Sequence, residues 1–147
     1  MADNQGNPNA SEKPTKKGYK GNIEKLTLEN ENFRKVLYTA EHCQLVLMSL
    51  LPSEEIGMEV HKGNDQFFRF EKGEGKVIIN ETEYLVKGGD AVIVPQGAHH
   101  NVINTSTTDA LKMYTLYSPA HHQDAMVRKT KAEAVANDPK FAGVTTE

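Results

Sequence analysis

At 147 residues, with 37% hydrophobic and 25% charged side chains, the chain has the size of one ordinary domain built on a single core. A net charge of −3, 7% aromatic residues and no Arg-rich cluster exclude the basic footprint of a nucleic-acid binder, so no nucleic acid is expected as partner. No apolar run approaches the ~20 residues that cross a bilayer, and the first 18 residues lack the apolar middle of a secretory signal; no membrane partner and a cytoplasmic location are the expectations.

Residues 1–20 are rich in Asn, Gly, Pro, Lys and Ser, a composition that cannot offset its own ordering entropy, and they read as a disordered polar tail with solvated lysines. From 21 to 119 the chain is a series of short runs loaded with Val, Ile, Leu, Phe, Tyr and Thr: NIEKLTL, FRKVLYT, CQLVLMSL, QFFRFEK, KVIIN, TEYLVK, AVIVP, NVIN and LKMYTLYS. Gly, Asn, Asp and Pro separate them, as expected of successive strands. With no long helical pattern between them, βαβ units are disfavoured, and an all-β sandwich or barrel is predicted. Residues 120–147 form a C-terminal extension in which 129–136 predicts one short helix that stops before Asp138 and Pro139. Such a segment could cover a barrel edge, as could residues 22–33 at the other end.

Cys43 is the only cysteine, which excludes an intramolecular disulfide. At the head of an apolar run it reads as a small buried hydrophobe rather than a reactive thiol.

The chemistry concentrates in two places. Side chains two apart on a strand share a face, so Glu59 and His61 point one way and Met58 and Val60 the other. Beyond the turn, Gln66 shares a face with Phe68 and Phe70, while Arg69 lies on the reverse. His100 opens a later strand, with His99 alternating outward. An inward carboxylate costs several kcal/mol unless it meets a cation, so Glu59 beside His61 favours a metal over two unrelated core residues. The alternatives are a core amide at Gln66 and a metal-free barrel in which Glu59 and His61 form a buried ion pair. Two imidazoles, a carboxylate and an amide oxygen suit a divalent Zn, Mn, Fe, Co or Ni ion. His42, His121 and His122 read as solvated loop histidines, Asp65 as a turn residue, and Gly73, Gly75, Gly88, Gly89 and Gly97 as turn glycines.

Gly89, Pro95, Gly97, His100 and Asn104, separated by five, one, two and three residues, resemble the complete second motif of the cupin superfamily. Ser53, Glu59, His61, Gln66 and Gly73 occupy the spacing of the first motif, in which cupins usually carry Gly, His, His, Glu and Gly. The resemblance implies a double-stranded β-helix, or jelly-roll, barrel over residues 21–119 and a metal held by Glu59, His61, Gln66 and His100, with the carboxylate moved to the first ligand position. Phe68, Phe70 and Tyr114 would line an apolar wall. The family implies a small-molecule substrate or ligand and, commonly, a homodimer. The leading expectation is a metal-dependent enzyme, either an oxygenase (a dioxygenase among them) or an isomerase; the alternative is a non-catalytic module that binds or senses a sugar-like small ligand. The set of two histidines, one glutamate and one glutamine also resembles the zinc site of type I phosphomannose isomerases, with the order of Glu and Gln reversed. No catalytic base beyond the ligands is identifiable in the sequence.

Overall fold

The computed structural model describes residues 15–147; the expectation of a disordered tail falls mostly on residues outside that range. In chain order the elements are α1 (Ile23–Glu29), β1 (Arg34–Thr39), β2 (Gln44–Leu50), β3 (Glu59–Val60), β4 (Asp65–Lys72), β5 (Glu74–Ile79), β6 (Thr82–Lys87), β7 (Ala91–Val94), β8 (His99–Asn104), β9 (Leu111–Ser118), β10 (Val127–Arg128) and α2 (Lys131–Ala136). The strands form a six-stranded sheet in the order β10-β1-β2-β9-β4-β7 and a four-stranded sheet in the order β3-β8-β5-β6. Every pairing is antiparallel. The predicted all-β jelly-roll barrel is what the chain forms. Among the described residues no helix is long and apolar enough to cross a membrane.

Period-two alternation fills the space between the sheets. On β9, Leu111, Met113, Thr115 and Tyr117 are buried, and on β4, Gln66, Phe68 and Phe70. Val46, Met48, Leu50, Val77 and Val102 complete the apolar centre. Each such side chain taken fully out of water stabilises the fold by ~1.5–3 kcal/mol. Asn104 closes one end: its amide donates to the carbonyls of Leu50, Leu51 and Asp109 and its oxygen accepts from Ser106 N. At Gly73, with φ +97°, a Cβ would stand 2.5 Å from the Ala110 carbonyl oxygen, so this turn admits only glycine.

Two local expectations are corrected. Residues 23–29, read as a strand from their Ile, Leu and Thr content, form α1. The Asn22 side chain caps Lys25 N, Thr27 Oγ1 donates to Ile23 O, and Lys112 Nζ satisfies the carbonyls of Leu28 and Asn30. The inward stripe of positions 23, 26, 27 and 30 has helical rather than strand spacing. Cys43 is exposed, not buried, because it belongs to the β1–β2 hairpin turn, where its carbonyl accepts from Ala40 N, and the strand begins only at Gln44. The C-terminal helix lies within its predicted range; Thr130 caps Glu133 N, and the Glu133 carboxylate returns to Lys129 N.

Candidate metal centre

β3 is only two residues long, yet its pairing places the site. Glu59 lies opposite His100 and Val60 opposite His99, so Glu59 and His100 share the inner face. His61 follows β3, and its carbonyl accepts from Gly97 N at 2.8 Å, tying it to the turn before β8. The result is a compact group: Glu59 Oε2 is 3.4 Å from His61 Nε2 and 3.9 Å from His100 Nε2, and the two imidazole rings are 5.0 Å apart. One ligand atom from each of the three lies within 4.8 Å of the others. Glu59, His61 and His100 are thus a candidate metal-binding group.

The donor atoms face inward unsatisfied. His100 Nδ1 lies 3.0 Å from the Ala98 carbonyl, which can only accept, so Nδ1 carries the proton and Nε2 the lone pair. His100 Nε2 and His61 Nε2 are both buried without a hydrogen-bond partner. Gln66, 2% exposed on the facing sheet, donates its amide to Thr115 Oγ1 at 3.0 Å and leaves Oε1 without a partner. Buried polar atoms are rarely left unpaired, and two imidazole acceptors flanking one carboxylate, with an unpaired amide oxygen on the facing sheet, suit a divalent cation. Burial holds His100 below the ordinary imidazole pKa, which keeps it neutral and able to ligate. For Glu59, burial works in the opposite sense to its neighbours, and the nearby His61, with Arg34 and His100, prevails to hold the carboxyl below its usual range.

Of the expected wall residues, Phe68 and Phe70 are fully buried and stacked 6.2 Å apart on the Gln66 face. Tyr114 is corrected: it is out of phase with the buried positions 111, 113, 115 and 117 of β9 and sits 6.3 Å from the Phe67 ring on the reverse face. Tyr117 takes the inner position, 5.6 Å from the His61 ring. His99 is exposed and Arg69 turns outward toward Glu71, both as the alternation predicts. Asp65 accepts from Gln96 N and binds β4 to the β7–β8 turn.

His121 and His122 are the larger correction. Neither is a solvated loop residue: His122 is 1% exposed, and His121 packs 4.3 Å from the His61 ring and 5.1 Å from Tyr117. Their backbone nitrogens both donate to the Gln44 side chain, and His121 Nδ1 meets Asn64 Oδ1. His122 contacts Asp138 Oδ1 through Nδ1 and the Tyr117 hydroxyl through Nε2. Burial lowers the pKa of His121 to about 3, helped by His122 and His61, and that of His122 to about 4 against the pull of Asp138. Burial alone would raise Asp138, but hydrogen bonds from His122 and Lys140 hold it well below the usual carboxylate range. Arg34, 4% exposed, completes this cluster at 3.5 Å from Asp138. The available signal for Arg34 was its phase with Val36 on β1; the signal for the histidines was their place directly after an inner strand.

Residues 46–117 match the family model described as a cupin domain. The chain belongs to the cupin superfamily. This cupin is 44% identical over 121 residues to the uncharacterised protein YrkC of Bacillus subtilis, a match covering 78% of the chain and 64% of YrkC. The crystal structure of BH2720 from Bacillus halodurans superposes with a TM-score of 0.79 at 38% identity, covering 81% of this cupin and 94% of that chain. An oxalate-binding protein of Thermotoga maritima is 31% identical over 62 residues, 42% of the chain and 51% of that protein. The cupin therefore spans about two thirds of YrkC and about half of the oxalate-binding protein.

Proposed function

We propose that this cupin holds one divalent cation, drawn from Zn, Mn, Fe, Co and Ni, on Glu59, His61, Gln66 and His100, and uses it as an oxygenase or isomerase of a small organic molecule. One observation carries the reading: three buried donors on facing sheets, His61 Nε2, His100 Nε2 and Gln66 Oε1, have no hydrogen-bond partner, and two of them flank a carboxylate. A bound divalent ion would act as a Lewis acid toward a ligand oxygen or, as iron, toward dioxygen. The chain's own part is to supply one negative charge at Glu59, to fix the His100 ring through Ala98, and to keep His121 neutral beside His61 as a hydrogen-bonding group for the ligand. Phe68 and Phe70 close the interior behind Gln66 to water.

A second reading, a ligand-binding module without turnover, is favoured by the similarity to the oxalate-binding protein of Thermotoga maritima and by the weakness of His121 as a base at a pKa of about 3. The test begins with elemental analysis of the native protein beside Glu59→Ala and Gln66→Ala. Bound metal in the native protein, diminished in both variants, supports the centre; a metal-free native protein refutes it. Oxygen uptake on diketones, thiols or catechols that requires iron, His61 and His100 would identify an oxygenase. Turnover without oxygen in the presence of zinc or manganese would identify an isomerase. Metal-dependent protection against heat by a compound that never turns over would identify the binding module.

A further inference from the structure

Gln66 can serve the metal centre only through its oxygen. A glutamate at this position would need no help, because its two oxygens are equivalent. An amide has one oxygen that accepts and one nitrogen that only donates, so a half-turn of the Gln66 side chain would abolish the ligand. Thr115 does not decide between the two orientations. Its hydroxyl lies 3.0 Å from Gln66 Nε2, and a hydroxyl accepts from an amide nitrogen or donates to an amide oxygen equally well.

A chain of polar contacts that begins at Asp138 does decide. Asp138 is faced by Lys140 and Arg34, which favour its ionised, accepting form. Its Oδ1 lies 3.1 Å from His122 Nδ1, so the neutral imidazole carries its proton on Nδ1 and a lone pair on Nε2. The group 3.2 Å from Nε2, the Tyr117 hydroxyl, must then be the donor. Tyr117 has one proton, it is committed to His122, and toward every other neighbour the phenol oxygen only accepts. Gln66 is such a neighbour: it lies directly opposite Tyr117 across β4 and β9, and both side chains are buried on the inner face. Burial raises the Tyr117 pKa, and Arg34 and Gln66 are the groups that pull it down, the sense expected of an amide N–H directed at the phenol oxygen. Turning Oε1 toward Tyr117 would set two acceptors against each other. The nitrogen therefore takes the side of Thr115 and Tyr117, and Oε1 is left buried without a partner.

We infer that Asp138, His122 and Tyr117 orient the Gln66 amide, so that its oxygen rather than its nitrogen is offered to the cation held with Glu59, His61 and His100. This rests on the metal-centre reading and adds the means by which a neutral glutamine serves as a ligand there. Tyr117, His122 and Asp138 are positioning residues that act through Gln66.

The test is a double-mutant cycle on Zn²⁺ affinity, measured on the full chain by competition with a chelating dye, with thermal unfolding of each chelator-treated variant as the check on folding. Removing a group that orients a metal ligand commonly weakens metal binding about ten- to a hundredfold. Tyr117→Phe, which keeps the ring and deletes the hydroxyl, is expected to weaken Zn²⁺ about tenfold or more when Gln66 is present. In the Gln66→Glu background, where two equivalent oxygens need no orienting, the same substitution is expected to change the affinity by less than about twofold. A merely structural role for the hydroxyl would cost the same in both backgrounds. His122→Phe, which frees the Tyr117 proton to turn toward Gln66, is expected to weaken Zn²⁺ about tenfold, again only when Gln66 is present; it keeps the test decisive if Tyr117→Phe does not fold. Equal losses in the two backgrounds, or no loss with Gln66 present, overturn the orienting role and leave the metal centre standing. A native protein that takes up no Zn²⁺, Mn²⁺ or Fe²⁺ overturns the metal centre and the orienting role with it.

Discussion

Removing the charge from the proposed metal centre while keeping its shape gives the sharpest test of the interior. Glu59→Gln preserves size and one oxygen donor but deletes, among the described residues, the only formal negative charge within 4 Å of His61 and His100. Two unit charges 4 Å apart interact by about 4 kcal/mol at an effective dielectric of ~20. A carboxylate in contact with a divalent ion contributes at least that much, so the variant should bind metal about three decades more weakly or worse. At a free metal concentration of about 100 times the native Kd, binding stabilises the native barrel by about 2.7 kcal/mol. For a domain of this size that raises Tm by about 5–10 °C. The same concentration then lies at or below the variant's Kd, which leaves it about 0.4 kcal/mol or less and a shift of about 1 °C. The assay is thermal unfolding of chelator-treated protein before and after addition of zinc or manganese. Equal metal-induced shifts in the native protein and Glu59→Gln would refute the assignment of Glu59 as a ligand and the electrostatic reasoning behind it.

Three further outcomes follow from the structure. His122 is held neutral in the fold, with a pKa lowered to about 4 from 6.5, by burial among Tyr117, His121, Arg34, Lys140 and Asp138. Its depressed value contributes stability that is complete above pH 6.5 and is lost as pH falls toward 4, at about 1.4 kcal/mol per pH unit at most; the slope of unfolding free energy in that window should be shallower in His122→Gln, and an unchanged slope counts against it. Gly73→Ala should lose about 2–4 kcal/mol in denaturant unfolding, because φ is +97° and the new methyl meets the Ala110 carbonyl. Gly57→Ala, at φ +103° with nothing within 4 Å, should lose less, and equal losses would show that the collision is relieved. Cys43, exposed in the β1–β2 turn, should react stoichiometrically with a maleimide in native buffer; protection until unfolding would contradict its placement.

Alternation made much of the barrel legible, since one residue of phase decides which side chains of a strand meet the core. Glu59 with His61, and Gln66 with Phe68 and Phe70, could be assigned to faces from spacing alone. Phase failed where both faces of a strand carry similar residues: β9 offers Leu116 and Tyr114 on one side and Met113 and Tyr117 on the other, and only the fold decides between them. Local composition failed at α1, where Ile23 and Thr27 favour a strand in isolation but a capping asparagine and a helical stripe against β9 prevail. The cluster of Arg34, Gln44, Asn64, His121, His122 and Asp138 was hidden for a different reason. Its members come from distant parts of the chain, Gln44 and His122 being 78 positions apart, and no spacing rule reports on groups that meet only after the sheets have closed.

Asn104 fastens the end of β2 to the β8–β9 loop through one amide and takes no part in the donor set. Container and contents can therefore vary separately: groups on the inside can be exchanged without redrawing the vessel. An engineer wishing to install a new reaction here has freedom at 59, 61, 66 and 100, and none at 104, where a substitution would spoil every reaction alike.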